Sequence, residues 1–177
     1  MTRWRRLALA AALVTAAVPT GAAAQGFSGS TPVRAQVLPG TLIFLVLRDL
    51  QFGALTPATP RTVPPTSPDA GYFQVEGERN QRVSLTFTLP VELVRFGGGG
   101  VIPVSFGPAS AVVNRISQSP SGGGSTSFDP ATGTTSRFGP TPRPQLHVYL
   151  GGTASPGAGV PAGLYTAPVV LTVAYLN

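Results

Sequence analysis

The C-terminal segment of the chain shows the clearest alternation of side-chain types. Along residues 164–175, one face of an extended strand would carry Tyr165, Ala167, Val169, Leu171, Val173 and Tyr175. Because successive side chains of a β-strand point to opposite faces, this pattern predicts one long strand with that face in the core. Pro168 cannot donate a ladder hydrogen bond, which favours an edge or a strand start over a central position.

Shorter strands are predicted upstream, at residues 33–38, 41–47, 71–76, 82–89, 101–106, 111–116 and 145–150. Glycine and proline recur between them, and no segment after residue 24 sustains a helical apolar pattern for three turns. Short strands with this punctuation predict an all-β fold, either an antiparallel sandwich or a barrel. Segments 72–75 and 83–89 flank a polar connection that contains a glycine, so we expect them to form a hairpin.

Two segments are predicted to be long loops by composition, residues 56–70 and 118–144, which are rich in proline, threonine, glycine and serine. Neither is typical of a domain linker, because each flank is too short to fold alone. Residues 33–177 are therefore predicted to form one domain, and a chain of this size can bury about 70% of its unfolded surface.

The N-terminus is typical of a secretory signal peptide over residues 1–24. Arg3, Arg5 and Arg6 precede the apolar residues 7–18, and small residues follow. The apolar run is shorter than the roughly 20 residues of a membrane-spanning helix, so no membrane span is expected after cleavage. The prediction is export to the periplasm and then to the cell surface or medium. Without cysteine, neither disulfides nor a lipid-modified cysteine can form.

All twelve basic residues are arginines, and three of them lie in the predicted leader. The remaining nine arginines and the six acidic residues give a net charge of +3 after cleavage. These nine are scattered singly between Arg34 and Arg143 instead of forming a basic stripe. The sequence therefore predicts no nucleic-acid partner.

Residues that could support catalysis are few. His147 is the only histidine and alternates with apolar neighbours, which is typical of a structural histidine. Glu76 and Glu78 bracket Gly77 at a predicted turn, where carboxylates are ordinarily solvated. Nucleophile motifs and metal-ligand spacings are missing from the sequence. We expect no catalytic residue, no cofactor and no metal site, and hence a protein that is not an enzyme.

Four segments carry a resemblance to a known family. They are residues 49–53 (DLQFG), 72–77 (YFQVEG), 147–153 (HVYLGGT) and 162–175 (AGLYTAPVVLTVAY). In this order and spacing, over roughly residues 33–177, the set resembles the bacterial secreted family named domain of unknown function 4402. That family is similar to the spore coat protein U group of pilin subunits.

The resemblance implies an immunoglobulin-like antiparallel β-sandwich that is incomplete, because the pilins lack their last strand. It also implies a fimbria-like or pilus-like subunit whose partners are copies of itself or related subunits. Such subunits are escorted by a periplasmic chaperone and polymerise through an outer-membrane usher. They commonly carry a disulfide, and this chain departs from that pattern because it has no cysteine.

A sandwich that lacks a strand leaves an apolar groove and unpaired backbone groups, which an extended segment of another chain can fill. By the resemblance, the closing strand beside this groove is the C-terminal one, with Tyr165, Ala167, Val169, Leu171, Val173 and Tyr175. The N-terminal extension, residues 25–32 with the residues that follow, alternates in the required way through Phe27, Gly29, Val33, Ala35 and Val37. Two interpretations stay open. Residues 25–37 form a donor strand for a neighbour, or residues 25–32 are a tail and residues 33–38 are the domain's own first strand.

Two other functional classes compete with the pilin-like subunit. The main alternative is a monomeric secreted binding module, an adhesin or a carbohydrate-binding domain, in which Tyr72, Tyr149, Tyr165 or Tyr175 could stack on sugar rings. A small outer-membrane barrel is the third class, and most predicted strands are shorter than such a barrel needs.

Overall fold

The computed structural model of the protein describes residues 40–176, which lie within one compact unit. The predicted leader, the candidate donor residues Phe27, Gly29, Val33, Ala35 and Val37, and the predicted strand 33–38 lie outside the described residues. The described part is all-β, as predicted, with thirteen strands. They are β1 (Ile43–Arg48), β2 (Arg61–Val63), β3 (Gly71–Glu76), β4 (Arg82–Thr88), β5 (Glu92–Arg95), β6 (Val101–Ser105), β7 (Ala111–Asn114), β8 (Ser125–Phe128), β9 (Thr134–Arg137), β10 (Gln145–Leu150), β11 (Gly152–Ala154), β12 (Tyr165–Thr166) and β13 (Val170–Tyr175).

Two antiparallel sheets pack face to face and form the main sandwich. The wider sheet has five strands in the order β1-β3-β10-β7-β8, and the narrower one has three in the order β13-β4-β9. Between them lies a core of apolar side chains, among which Val75, Val83, Leu85, Leu146, Val148 and Leu150 are fully buried. Alternate residues of β3, β4 and β10 supply this core, as the two-residue period requires.

A second five-stranded sheet, in the order β12-β5-β6-β11-β2, packs against a smaller core that contains Phe52, Val63 and Ile102. Its β5–β6 hairpin turns through Gly97, Gly98 and Gly99, which all have positive φ. Such φ values are easily adopted only by glycine, so the glycine run makes this turn possible. No helix among residues 40–176 is long and apolar enough to cross a membrane.

The predicted hairpin between segments 72–75 and 83–89 is wrong. β3 pairs with β1 and β10 in the wider sheet, whereas β4 pairs with β13 and β9 in the narrower one. The connection takes the chain across the core, with a turn in which the Gln81 N–H donates to the Glu78 carbonyl. Both strands carry a fully apolar face, and stacking these faces buries more apolar surface than edge pairing would.

The predicted long C-terminal strand is interrupted, which corrects the single-strand prediction. β12 pairs with β5 in the second sheet, and β13 pairs with β4 in the sandwich. The break falls at residues 167–169 around Pro168, which has no N–H to continue a ladder. The chain therefore changes sheets at this proline.

The two segments predicted as long loops contain strands. β2 lies within residues 56–70, and β8 and β9 lie within residues 118–144. All three carry polar side chains at most positions and are largely exposed. Backbone pairing to a neighbouring strand holds them in place, and composition alone does not report such pairing.

Candidate functional site: an open edge of the sandwich

Among the described strands, β13 is hydrogen-bonded to a neighbour on one side only. Its residues pair with β4 from Val170 opposite Thr88 to Tyr175 opposite Val83, and no other described strand pairs with it. The Leu176 N–H donates to the Arg82 carbonyl at 2.9 Å. Because backbone groups alternate in direction along an antiparallel strand, those of Leu171, Val173 and Tyr175 point away from β4. They form a row of ladder positions along the free edge.

Strand β1 forms the corresponding edge of the wider sheet, since within residues 40–176 it pairs only with β3. Phe44 and Val46 pair with Val75 and Phe73, which are core residues, so both side chains point toward the inside of the sandwich. Nevertheless Phe44 is 42% exposed and Val46 is 56% exposed. The Phe44 ring stacks on the Phe73 ring with centroids 5.9 Å apart, at the solvent-exposed margin of the core.

The two sheets of the sandwich differ in width, and this difference determines which side of the core is left uncovered. Residues of β9, at one end of the narrower sheet, line a cavity together with residues of β7 and β8. Since β9 and β13 flank β4 on opposite sides, β13 lies toward the β3 and β1 end of the wider sheet. A three-stranded sheet cannot cover all five strands, and the described strands leave β1, with its partly exposed inward side chains, uncovered. We call the region between β1 and the free side of β13 the open edge.

The predicted groove residues divide between two sites. Leu171 is buried in the main core, and Val169, Val173 and Tyr175 pack against that core. Tyr165 packs on the smaller core of the second sheet, and its hydroxyl donates to the Pro161 carbonyl at 2.6 Å. Ala167 lies in the interruption between β12 and β13. Tyr165 and Ala167 are therefore not part of the open edge, because the chain has changed sheets at Pro168.

The outer face of the wider sheet carries a covered aromatic cluster. The Tyr72 hydroxyl and His147 Nδ1 are 2.9 Å apart, and the rings of Tyr72 and Tyr149 stack with centroids 4.7 Å apart. Burial lowers the pKa of His147, and burial also raises the pKa of Tyr72 and of Tyr149. The histidine is therefore held neutral and the tyrosines protonated at neutral pH.

Two of the tyrosines considered for sugar stacking, Tyr149 and Tyr175, have their rings packed against other aromatic rings. Tyr149 is only 2% exposed, and its hydroxyl has no hydrogen-bond partner in the structure. Tyr175 contacts Phe138, and its hydroxyl accepts from the Glu78 N–H at 2.9 Å. The Tyr149 ring is therefore too buried to stack on a sugar.

Glu76, one of the two carboxylates near the turn between β3 and β4, has side-chain amide partners. Glu76 accepts hydrogen bonds from the side-chain amides of Gln74 and Gln145. Among the described residues, no group of three or more histidine or acidic side chains is placed to hold a metal ion.

The structure reveals a feature that the sequence did not predict, a cleft bordered by Arg82, Arg115, Arg137 and Arg143. These arginines come from β4, from the segments after β7 and before β10, and from the end of β9. Single arginines separated by 33, 22 and 6 positions give no sequence signal of a patch, and only the strand order brings them together.

No protein-family model matches the chain, and no curated protein matches it.

Proposed function

We propose that this protein is a non-enzymatic, exported structural subunit of a fimbria-like or pilus-like surface assembly, and that copies associate by β-strand complementation. The observation that carries the proposal is the open edge, where Phe44 and Val46 point into the sandwich and remain about half exposed. In the proposal, the sandwich is the incomplete immunoglobulin-like fold of the coat-protein-U-like pilins. A segment of a neighbouring subunit lies along β13 and covers β1.

The chemistry of the open edge suits an extended apolar donor. The free side of β13 offers the backbone groups of Leu171, Val173 and Tyr175, which a docked strand would pair. Each net backbone hydrogen bond is worth about 1 kcal/mol. Covering the exposed halves of Phe44 and Val46 would add about 1 kcal/mol for each side chain. The groove-facing side chains of Phe44 and Val46 carry no charge, so an apolar donor buries no charged group against them.

The proposed donor is the N-terminal segment of a second copy, with Phe27, Gly29, Val33, Ala35 and Val37 on one face. A head-to-tail contact of this kind uses two different surfaces of each subunit, so it builds open filaments instead of closed dimers. A periplasmic chaperone that fills the edge before assembly, and an outer-membrane usher, belong to the same proposal. A chaperone is expected because an unpaired apolar edge invites aggregation.

The test is to produce the full chain in a bacterial periplasm, with and without a candidate chaperone, and to run it unboiled on a denaturing gel. Strand-complemented polymers resist detergent and give a ladder that collapses to monomer on boiling. The groove variant is Val46→Asp, and the matched control is Leu45→Asp. Leu45 directly precedes Val46 in β1, is 42% exposed and points to the outer face.

We expect the wild-type chain and Leu45→Asp to form the ladder and Val46→Asp to remain monomeric. Phe27→Asp in the donor segment should also abolish the ladder when it is the only species present. A mixture of Phe27→Asp and Val46→Asp chains should restore dimers, because each variant retains one intact half of the interface. Monomer in every wild-type sample, with and without the chaperone, would refute the proposal, and so would a ladder from Val46→Asp.

A further inference from the structure

Two neighbouring cavities lie at the end of the sandwich away from the open edge. The first lies where β9 faces β7 and β8, and the second lies between the segments that follow β7 and β9 and the start of β10. The first has a volume of about 430 Å³ and the second about 480 Å³. Arg115 and Arg137 border both cavities, Arg82 borders the first and Arg143 the second. We call the two cavities together with these four side chains the arginine cleft.

The arginine cleft carries charge of one sign. Four of the eight arginines between residues 40 and 176 border it, whereas none of the six acidic residues does. The ion pair found among the described residues joins Arg61 to Asp69, away from the cleft. A concave surface lined by one sign of charge concentrates counter-ions, so the cleft attracts anions.

One of the shared arginines, Arg137, is exposed and makes a side-chain hydrogen bond to the backbone. Arg137 Nε donates to the backbone carbonyl of Asn80 at 3.0 Å, which directs the guanidinium. This bond leaves the two terminal nitrogens available to a ligand, and they have the spacing that a carboxylate accepts in a bidentate pair. Fixing the side chain beforehand reduces the entropy lost on binding.

Seven of the fourteen other residues that line the cleft carry an uncharged hydroxyl or amide group. They are Ser125, Thr126, Thr135 and Ser136 in the first cavity and Asn80, Thr141 and Gln145 in the second. Hydroxyl and amide groups both donate and accept, as the hydroxyls of a sugar require. Single-stranded nucleic acid requires exposed aromatic rings for base stacking. The phenylalanine of the cleft, Phe138, is only 1% exposed.

From this geometry we infer that the arginine cleft binds a linear acidic oligosaccharide with carboxylates on successive sugar units. Two cavities that share a rim of two arginines fit a chain whose charged groups repeat, since each unit can occupy one cavity. The inference does not rest on self-association, because the cleft and the open edge use different strands.

The experiment is calorimetric titration of the purified full chain with an oligogalacturonate of about six units. The same oligomer with fully methyl-esterified carboxyls is the uncharged control ligand. The variants are Arg115→Gln and Arg137→Gln, each of which alters both cavities. Arg79→Gln is the matched control, because Arg79 is exposed on the nearby turn and borders neither cavity. Circular dichroism verifies that each variant is folded.

We expect each cleft variant to raise the Kd for oligogalacturonate by about 10-fold or more, as the loss of a charge-assisted hydrogen bond implies. Arg79→Gln should change the Kd by less than about 2-fold, and the methyl ester should not bind measurably. Absence of oligogalacturonate binding would overturn the inference, and so would equal binding of the methyl ester. An equal loss in Arg79→Gln, or tighter binding of a single-stranded oligonucleotide of equal charge, would overturn it too.

Discussion

Asn114 holds the segment that follows β7, and replacing it by alanine is expected to destabilise the protein strongly. The side chain is fully buried. Its Nδ2 lies 2.7 Å from the Ser119 carbonyl, 2.8 Å from Ser125 Oγ and 3.2 Å from Ser117 Oγ. Its Oδ1 accepts from the backbone N–H groups of Ile116 and Ser117 at 2.8 and 3.0 Å. One amide therefore organises the start and the end of a ten-residue connection to β8.

The magnitude follows from these contacts. Two hydrogens on Nδ2 can satisfy two of its three acceptors at once, so the side chain makes four hydrogen bonds at a time. At about 1 kcal/mol each, Asn114→Ala loses about 4 kcal/mol, less what water recovers at the partly exposed serines. We expect the free energy of unfolding to fall by about 2–4 kcal/mol.

Urea unfolding followed by far-UV circular dichroism measures this loss by linear extrapolation. Gln118→Ala is the matched control, because Gln118 is an exposed amide in the same connection, and its loss should cost less than about 0.5 kcal/mol. A decrease below about 1 kcal/mol in Asn114→Ala would show that the amide does not organise this connection.

Two further predictions concern pH and backbone conformation. Because burial lowers the pKa of His147, the unfolded chain takes up the proton first. The contribution of neutral His147 to stability is complete above the unfolded pKa of about 6.5 and is lost as the pH falls below that value. The free energy of unfolding should therefore fall less between about pH 7.5 and pH 5 in His147→Gln than in the wild type, and equal slopes would contradict this. Gly133 has φ +73°, and a Cβ there would lie 2.5 Å from the Leu85 carbonyl oxygen. Gly133→Ala should lower the urea midpoint by an amount equivalent to about 2 kcal/mol or more. Gly123→Ala, where a Cβ meets no atom within 4 Å, should leave the midpoint nearly unchanged, and similar midpoints for the two variants would refute the steric argument.

The strands that bury one face could be predicted from the sequence. In β3, β4 and β10, alternate apolar residues such as Val75, Leu85 and Val148 fill the core, and their positions follow from the two-residue period. The pairing of these strands could not be predicted in the same way. Alternation determines which face is buried, but it does not determine whether β3 lies beside β4 or across the core from it.

Polar edge strands and the change of sheet gave weaker signals. β9 has exposed or half-buried residues throughout, so it has no apolar period to detect. Alternation also continues unbroken from Tyr165 to Tyr175, although the chain leaves one sheet and enters another at Pro168. The proline was the available signal, since it marks a place where a ladder cannot continue.

The strand order places the two proposed sites on opposite sides of the same small sheet. β13, with its free edge, lies on one side of β4, and β9, which carries Arg137, lies on the other. A donor strand added at β13 would extend the sheet away from the arginine cleft and leave the four arginines uncovered. Every subunit of a filament built in this way could therefore present its cleft to ligand.

This arrangement separates the two hypotheses experimentally. Val46→Asp should abolish the gel ladder and leave the Kd for oligogalacturonate unchanged within about 2-fold, because Val46 and Arg137 lie at opposite ends of the sandwich. Conversely, Arg137→Gln should weaken ligand binding and leave the ladder intact. Wild-type filaments should bind one oligomer per subunit, with avidity for a long polymer that monomeric Val46→Asp lacks. If Val46→Asp loses ligand binding while it remains folded, the two sites are coupled, and the strand order does not isolate them.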